Sequence, residues 1–269
     1  MPYPNFLIVG GRRSGTTSLY NYLKETDGIF MPNEKYITFF RTDDPKRLTE
    51  KQYLSYYSTV NNEKLIGEAN PTYLDDPESP KLIKEKIPNA KIIILLRHPV
   101  DRTYSDYLYN LTKNDFTDSL EDIIKQEHPI LKRGLYYEQV KRYYDNFGKE
   151  NVGIWFTADL KNKNKRGNVL LEIFNFLGIH SELPAISNKE YNNYRISKNT
   201  ITSLILKNGH LGKYLPYSIR RKIRDAMLKN IQKPILPVDL RKKMEDYFYN
   251  DTQKLIMLTG IPESFKRSE

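Results

Sequence analysis

Phe6-Leu7-Ile8-Val9-Gly10-Gly11-Arg12-Arg13-Ser14-Gly15-Thr16-Thr17-Ser18-Leu19-Tyr20-Asn21-Tyr22-Leu23 joins an apolar run, a glycine turn and a helical pattern without a break. Residues 6–9 read as a buried strand, Gly10 and Gly11 let the backbone turn, and Gly15 to Leu23 starts a helix with Leu19, Tyr22 and Leu23 facing inward. The N-terminus of that helix then points at whatever lies above the strand. Its unpaired backbone N–H groups and the positive end of its dipole make an anion site, to which Thr16, Thr17 and Ser18 add hydroxyls.

Gly10 and Gly15 have the GxxxxG spacing of the ATP and GTP loop, but Thr16 stands where that loop carries lysine. The cations come earlier, at Arg12 and Arg13. A ligand held this way presents a terminal anion to arginine, and does not need a metal-bridged triphosphate.

Further along, Leu65 to Tyr73 predicts a strand that turns at Asn70-Pro71 and leaves Glu68 near its end. Lys91 to Leu96, KIIILL, reads as a central parallel strand covered on both faces. Arg97 stands at its tip, Pro99 opens the next helix, and Ser105 lies on that helix. Leu135 to Phe147 has helical spacing and stops at Gly148. Val152 to Phe156 is a third buried strand, and Val169 to Leu177 a helix closed by Gly178. Alternating strands and helices imply an α/β fold, a parallel β-sheet flanked by helices with a P-loop-like phosphate site. The expected organisation is one domain over 1–269: an α/β core over 1–190, and a helical, basic part over 191–269 without strands.

Four segments, GGRRSGTTSL, GEANPTY, IIILLRHPVDRTYSDY and RGLYYEQVKRYYDNFGKENVGIWF, resemble in the same order the signatures of sulfotransferases that use 3′-phosphoadenosine 5′-phosphosulfate (PAPS). The resemblance is to the carbohydrate branch, which includes the heparan sulfate enzymes and bacterial relatives. It covers roughly the first 160 residues and implies transfer of a sulfuryl group to a hydroxyl, with adenosine 3′,5′-bisphosphate (PAP) leaving and no metal. By this resemblance Arg13 takes the place of the catalytic cation, and Ser14, Gly15, Thr16, Thr17 and Ser18, with Arg12, hold the 5′-phosphosulfate. Arg97 and Ser105 match the pair that binds the 3′-phosphate.

Two departures stand out. The family's Lys-Glu-x-His-Phe-Phe, whose glutamate is the general base, reads here Lys35-Tyr36-Ile37-Thr38-Phe39-Phe40. Tyr36 occupies the glutamate position and faces the acceptor. Either Glu34 serves as the base, or another carboxylate such as Glu68 at the acceptor site, or the base is absent. Ala69 replaces a lysine of the heparan-type members, which makes a heparin-like acceptor less fitting. Near Tyr191 to Asn199, where the family often contributes basic residues that close over the cofactor, the resemblance makes Arg195 and Lys198 the candidates.

The 269 residues contain no cysteine, which excludes disulfides and thiolate chemistry, and the four histidines have no metal-ligand spacing. No apolar run reaches membrane-spanning length and no cationic leader precedes the first apolar segment, so the expectation is a cytoplasmic protein. Of the net charge of +10, nearly all lies between Lys207 and Lys243, with eleven Lys/Arg against two Asp. A basic amphipathic helix over Ser218 to Ile231 could rest on an anionic membrane and bring a glycolipid or glycan acceptor to the site. Nucleic acid is not expected. The competing readings are a nucleotide kinase or hydrolase built on the same loop, disfavoured by Thr16, and a non-catalytic module binding polyanion or membrane through the basic segment.

Overall fold

The computed structural model describes residues 1–113, 118–185, 195–197, 228–230, 233–262 and 265. Five parallel strands form the central sheet: β1 (Phe6–Gly10), β2 (Ile29–Phe30), β3 (Leu65–Ala69), β4 (Lys91–Leu96) and β5 (Val152–Phe156). Their order is β2-β3-β1-β4-β5. From β1 the chain runs to the edge strand β2, returns inward to β3, and then crosses to β4 and β5 on the other side of β1. The order therefore reverses between β1 and β4, which is where open α/β sheets bind their ligands.

Alternation along the strands sorts the side chains into two cores. Phe6, Ile8, Ile93 and Leu95 face α1 (Thr16–Lys24) and α9 (Lys163–Leu177), where they meet Leu19, Leu23, Leu170 and Ile173. Leu7, Val9, Ile92 and Ile94 face the other way, against Ile83 of α3 (Ser79–Lys86) and Val140 and Tyr143 of α7 (Tyr137–Phe147). Tyr53 of the short helix α2 (Glu50–Ser55) joins this second core, held by a capping box between Thr49 and Gln52. With both faces covered, the unbroken apolar run of β4 is accounted for.

A satellite core gathers α4 (Pro99–Lys113), α5 (Leu120–Lys125) and the C-terminal helix α10 (Val238–Thr259), through Val100, Leu108, Leu120, Met244 and Phe248. Two short helices, α6 (Pro129–Lys132) and α8 (Thr157–Lys161), complete the helical layers.

The expectation that strands end before Tyr191 is corrected. β6 (Arg195–Ser197) pairs antiparallel with β7 (Leu228–Asn230). β7 falls inside the stretch expected as a basic helix, so Leu228–Asn230 is extended there; Ser218 to Met227 and Ile231 lie outside the described residues. The ladder partner is more than thirty residues away in sequence, and a long-range pairing of this kind leaves no mark in a local helical period.

Candidate functional site

At the tip of β1 the chain must turn sharply under Leu74. A Cβ on Gly10 would lie 2.3 Å from the Cβ of Leu74, so only glycine fits. Arg13 (φ 64°) and Gly15 (φ 84°) adopt left-handed backbone, which glycine takes freely and arginine only at some cost. Gly15 is also the N-cap of α1 and offers no side chain to the first turn. The N–H groups that lack intrahelical partners there are left for a ligand.

The loop is tied to its neighbours. Gly11 N–H donates to the Leu95 carbonyl at 2.7 Å. The Thr157 hydroxyl, just beyond β5, sits 2.7 Å from the Ser14 carbonyl and 2.9 Å from that of Leu96. Arg97, at the tip of β4, directs Nη1 to the Arg13 carbonyl at 3.5 Å. The two cationic strand tips expected from sequence are thus side by side across the switch point. Ser105 follows on α4, partly exposed.

Lys35 supplies what the loop lacks. Its Nζ donates to Thr16 Oγ1 at 2.9 Å and to Thr17 Oγ1 at 3.0 Å, with the side chain only 8% exposed. The ammonium that an ATP loop would carry on its own helix arrives here from a separate segment. Burial, and secondarily the charge of Arg13, push its pKa down from 10.5 to about 7. The segment is held from β3: Tyr36 N–H donates to the Ala69 carbonyl (3.1 Å), Asn70 Nδ2 to the Ile37 carbonyl (3.1 Å), and Tyr73 receives the Phe39 N–H (3.1 Å). Residues of the GEANPTY segment thus anchor the stretch that carries Lys35.

Arg12 turns the other way, 3.7 Å from Asp75, a carboxylate it shares with Arg41 (3.2 Å) and Arg133 (2.9 Å). Arg13 lies 4.3 Å from the centroid of the Tyr109 ring. Burial disfavours its charge, and Asp106 is the largest influence supporting it. The buried Nε atoms of Arg12 and Arg13 have no hydrogen-bond partner. The orphaned Nε of Arg13 beside an uncapped helix start fits a phosphosulfate.

Tyr136 braces the arrangement from below. Its hydroxyl donates to the Arg97 carbonyl at 3.0 Å, and its own N–H donates to Asp251 of α10 at 2.7 Å. Asp251 also accepts from Tyr137 N–H at 3.2 Å, closing the N-terminus of α7.

The carboxylates named from sequence are placed elsewhere. Glu68 is fully buried and accepts a hydrogen bond from Tyr53 within the aromatic core; burial raises its pKa to about 7. Glu34 lines a cleft of about 240 Å³ with Phe30, Met31, Ser55 and Thr59, and no residue of the phosphate loop lines it. Tyr36 is exposed at the mouth, beside Lys35. Arg195 lies on β6, and Lys198 is outside the described residues. Among the described residues no group of three His, Asp or Glu gathers as a metal site, and no helix is long and apolar enough to cross a membrane.

Lys35, Thr157, Tyr136 and Tyr109 were not legible as site residues in the sequence. For Lys35 two signals existed: it keeps the lysine of the family's Lys-Glu-x-His-Phe-Phe segment, and a phosphate loop without its own lysine needs a cation from another segment.

A sulfotransferase domain profile matches residues 3–256. The chain belongs to the sulfotransferase family. It is similar to the crystal structure of a sulfotransferase from Alicyclobacillus acidocaldarius, at 26% identity and TM-score 0.73, covering 99% of this chain and 100% of that one. The sulfotransferase domain from the curacin biosynthetic pathway shares the fold at 14% identity and TM-score 0.50, over 93% of this chain and 99% of that domain. No curated protein matches. The protein is therefore a PAPS-dependent sulfotransferase. The rival reading as a nucleotide kinase or hydrolase falls with that membership.

Proposed function

We propose that this sulfotransferase binds PAPS across the β1/β4 switch point and transfers its sulfuryl group to a hydroxyl of a carbohydrate or glycolipid. The observation that carries the donor site is the contact of Arg97 with the Arg13 carbonyl, which brings two cationic strand tips to one crevice. PAPS supplies the sulfuryl group. The acceptor oxygen forms a bond to sulfur as the bond from sulfur to the 5′-phosphate oxygen breaks, and the acceptor proton passes to a base.

Each residue has a task. Ser14, Gly15, Thr16, Thr17 and Ser18 hold the phosphosulfate oxygens, and Arg12 adds charge at the edge. Arg13 and Lys35 neutralise the charge that grows on the leaving phosphate, an effect strongest in a buried site. Arg97 and Ser105 hold the 3′-phosphate and so distinguish PAPS from ATP. Arg195 and Lys198 close over the nucleotide. Glu34 takes the acceptor proton; since its side chain now lies in the neighbouring cleft, this role needs the segment around Tyr36 to turn. The carbohydrate acceptor rests on the resemblance of the four sequence signatures to that branch of the family.

Calorimetry with PAP and with ATP plus magnesium tests the donor site. PAP should bind without metal, and Arg97→Ala should weaken it by about 1.5–3 kcal/mol, the worth of a charge-assisted contact. Exclusive binding of ATP with magnesium, or unchanged PAP affinity in that variant, refutes the assignment.

A further inference from the structure

Thr157 joins two parts of the molecule that the sheet keeps apart. β5 and β1 are not neighbours, since β4 lies between them. Residue 157 follows directly on β5, one position beyond the pairing of Phe156 with Leu96, and is only 1% exposed. Its hydroxyl reaches over the tip of β4 as far as the phosphate loop, 2.7 Å from the Ser14 carbonyl, while the Leu96 carbonyl is 2.9 Å away. Its methyl faces the same loop: a Cβ on Gly15 would lie 3.6 Å from Thr157 Cγ2. Both branches of a side chain that is stiff at χ1 are thus engaged.

The two carbonyls lie at either end of the donor site. A peptide unit is planar, so holding its carbonyl also fixes the N–H of the next residue. The Ser14 carbonyl shares its peptide with the N–H of Gly15, where α1 begins, and the Leu96 carbonyl shares its peptide with the N–H of Arg97. A hydroxyl has a single proton. The loop and the strand tip therefore compete for one donor, and both stay within its reach only while they stay close together. Other ties across this gap lie at the base of the loop, from the Gly11 N–H to the Leu95 carbonyl, or are long, as from Arg97 to the Arg13 carbonyl at 3.5 Å.

We propose that Thr157 is a positioning residue whose hydroxyl sets the spacing between the 5′- and 3′-phosphate sites, so that a nucleoside bisphosphate engages both at once. This rests on the donor site assigned above. Two phosphates on one nucleoside bind more tightly than either alone because the second contact is intramolecular, an advantage that exists only where the spacing of the sites matches that of the ligand. A small error in spacing leaves each phosphate able to settle in its own site, but not both together. Thr157 then contributes to PAP affinity without touching PAP.

Calorimetry with PAP, and saturation-transfer NMR with adenosine 5′-monophosphate and adenosine 3′-monophosphate, provide the test. Thr157→Val keeps the shape and removes the donor. PAP should bind about tenfold more weakly to it, the scale of one lost hydrogen bond, while each monophosphate stays within about twofold of its affinity for the wild type. Thr157→Ser keeps the donor and gives up the methyl, and should hold PAP within about threefold of the wild type. Thr157→Ala repeats the loss of the hydroxyl in a smaller side chain, should the valine variant not fold.

The proposal is overturned if PAP affinity is unchanged without the hydroxyl, or if the serine variant binds PAP as weakly as the variants that lack it. It is overturned equally if both monophosphates weaken as much as PAP does, the pattern of a loosened fold. Failure of PAP to bind the unaltered protein would instead refute the donor site.

Discussion

Lys35→Met replaces a buried ammonium by an apolar chain of similar reach, and the consequences can be worked out in sign and size. With a folded pKa of about 7, Lys35 is neutral in the donor-free protein at pH 8 in about nine molecules of ten. A phosphate anion seated at Thr16 and Thr17 favours the ammonium, so PAP binding at pH 8 should take up close to one proton, about 0.9 per site. Titrations in Tris and in HEPES, whose ionisation enthalpies differ, give this number directly. The uptake should vanish in Lys35→Met, and PAP affinity should fall with it. Donor-free stability carries a second signature. Between pH 7 and 10.5 the unfolded chain holds a proton that folded Lys35 has released, so this residue's contribution to stability rises with pH across that window. Each pH unit is worth about 1.4 kcal/mol, which bounds the total at roughly 5 kcal/mol. Melting curves of the two proteins should therefore diverge in slope between pH 7 and 10. Equal proton uptake in both proteins, or none in the wild type, would refute the placement of Lys35 at the phosphate.

Three further changes separate chemistry from architecture. Arg13→Ala should abolish transfer from PAPS while leaving the melting temperature nearly unchanged, because burial disfavours the charge that is removed and its Nε has no hydrogen-bond partner to lose; preserved turnover would remove it from the leaving-group role. Gly10→Ala should cost about 1–3 kcal/mol by forcing a methyl group into Leu74, read as a lowered denaturation midpoint, and an unchanged midpoint would show that the turn can yield. Glu68→Gln probes the aromatic core. Folded Glu68 retains its proton up to about pH 7 while the unfolded carboxyl loses it near 4.5, so its contribution falls as pH rises through that window, by roughly 3 kcal/mol at most. Denaturation at pH 5 and pH 7 should show a smaller drop in the variant.

The strands that build the centre were open to reading because each is short, apolar and followed by a turn signal. β1, β4 and β5 fall where the sequence places them, and Gly148 and Gly178 close the helices they were expected to close. β2 was missed because two residues cannot display alternation. The start of α9 at Lys163, six residues before the apolar pattern begins, was missed because its first turn is set by Asn162, whose side chain accepts the Asn164 N–H. Arg13 and Arg97 stand side by side because the sheet order makes their strands neighbours. Lys35 could not be placed from its own surroundings: its direction depends on the hydrogen bond its neighbour Tyr36 gives to the Ala69 carbonyl and on those Ile37 accepts from Asn70 and Tyr73, thirty and more positions further on. Glu34 and Glu68 show the reverse difficulty, since a carboxylate's sequence neighbourhood does not reveal whether it points to a ligand, a cleft or the core.

The hydrogen bond that Asp251 accepts from the backbone N–H of Tyr136 has a consequence for how the protein comes into being. The brace under Arg97 is anchored by a residue of α10, 115 positions further along the chain than Tyr136. A ribosome that has released the sheet but still shelters α10 would hold a nascent chain whose nucleotide crevice lacks one of its supports, so the capacity to grip the donor would wait on the emergence of that helix.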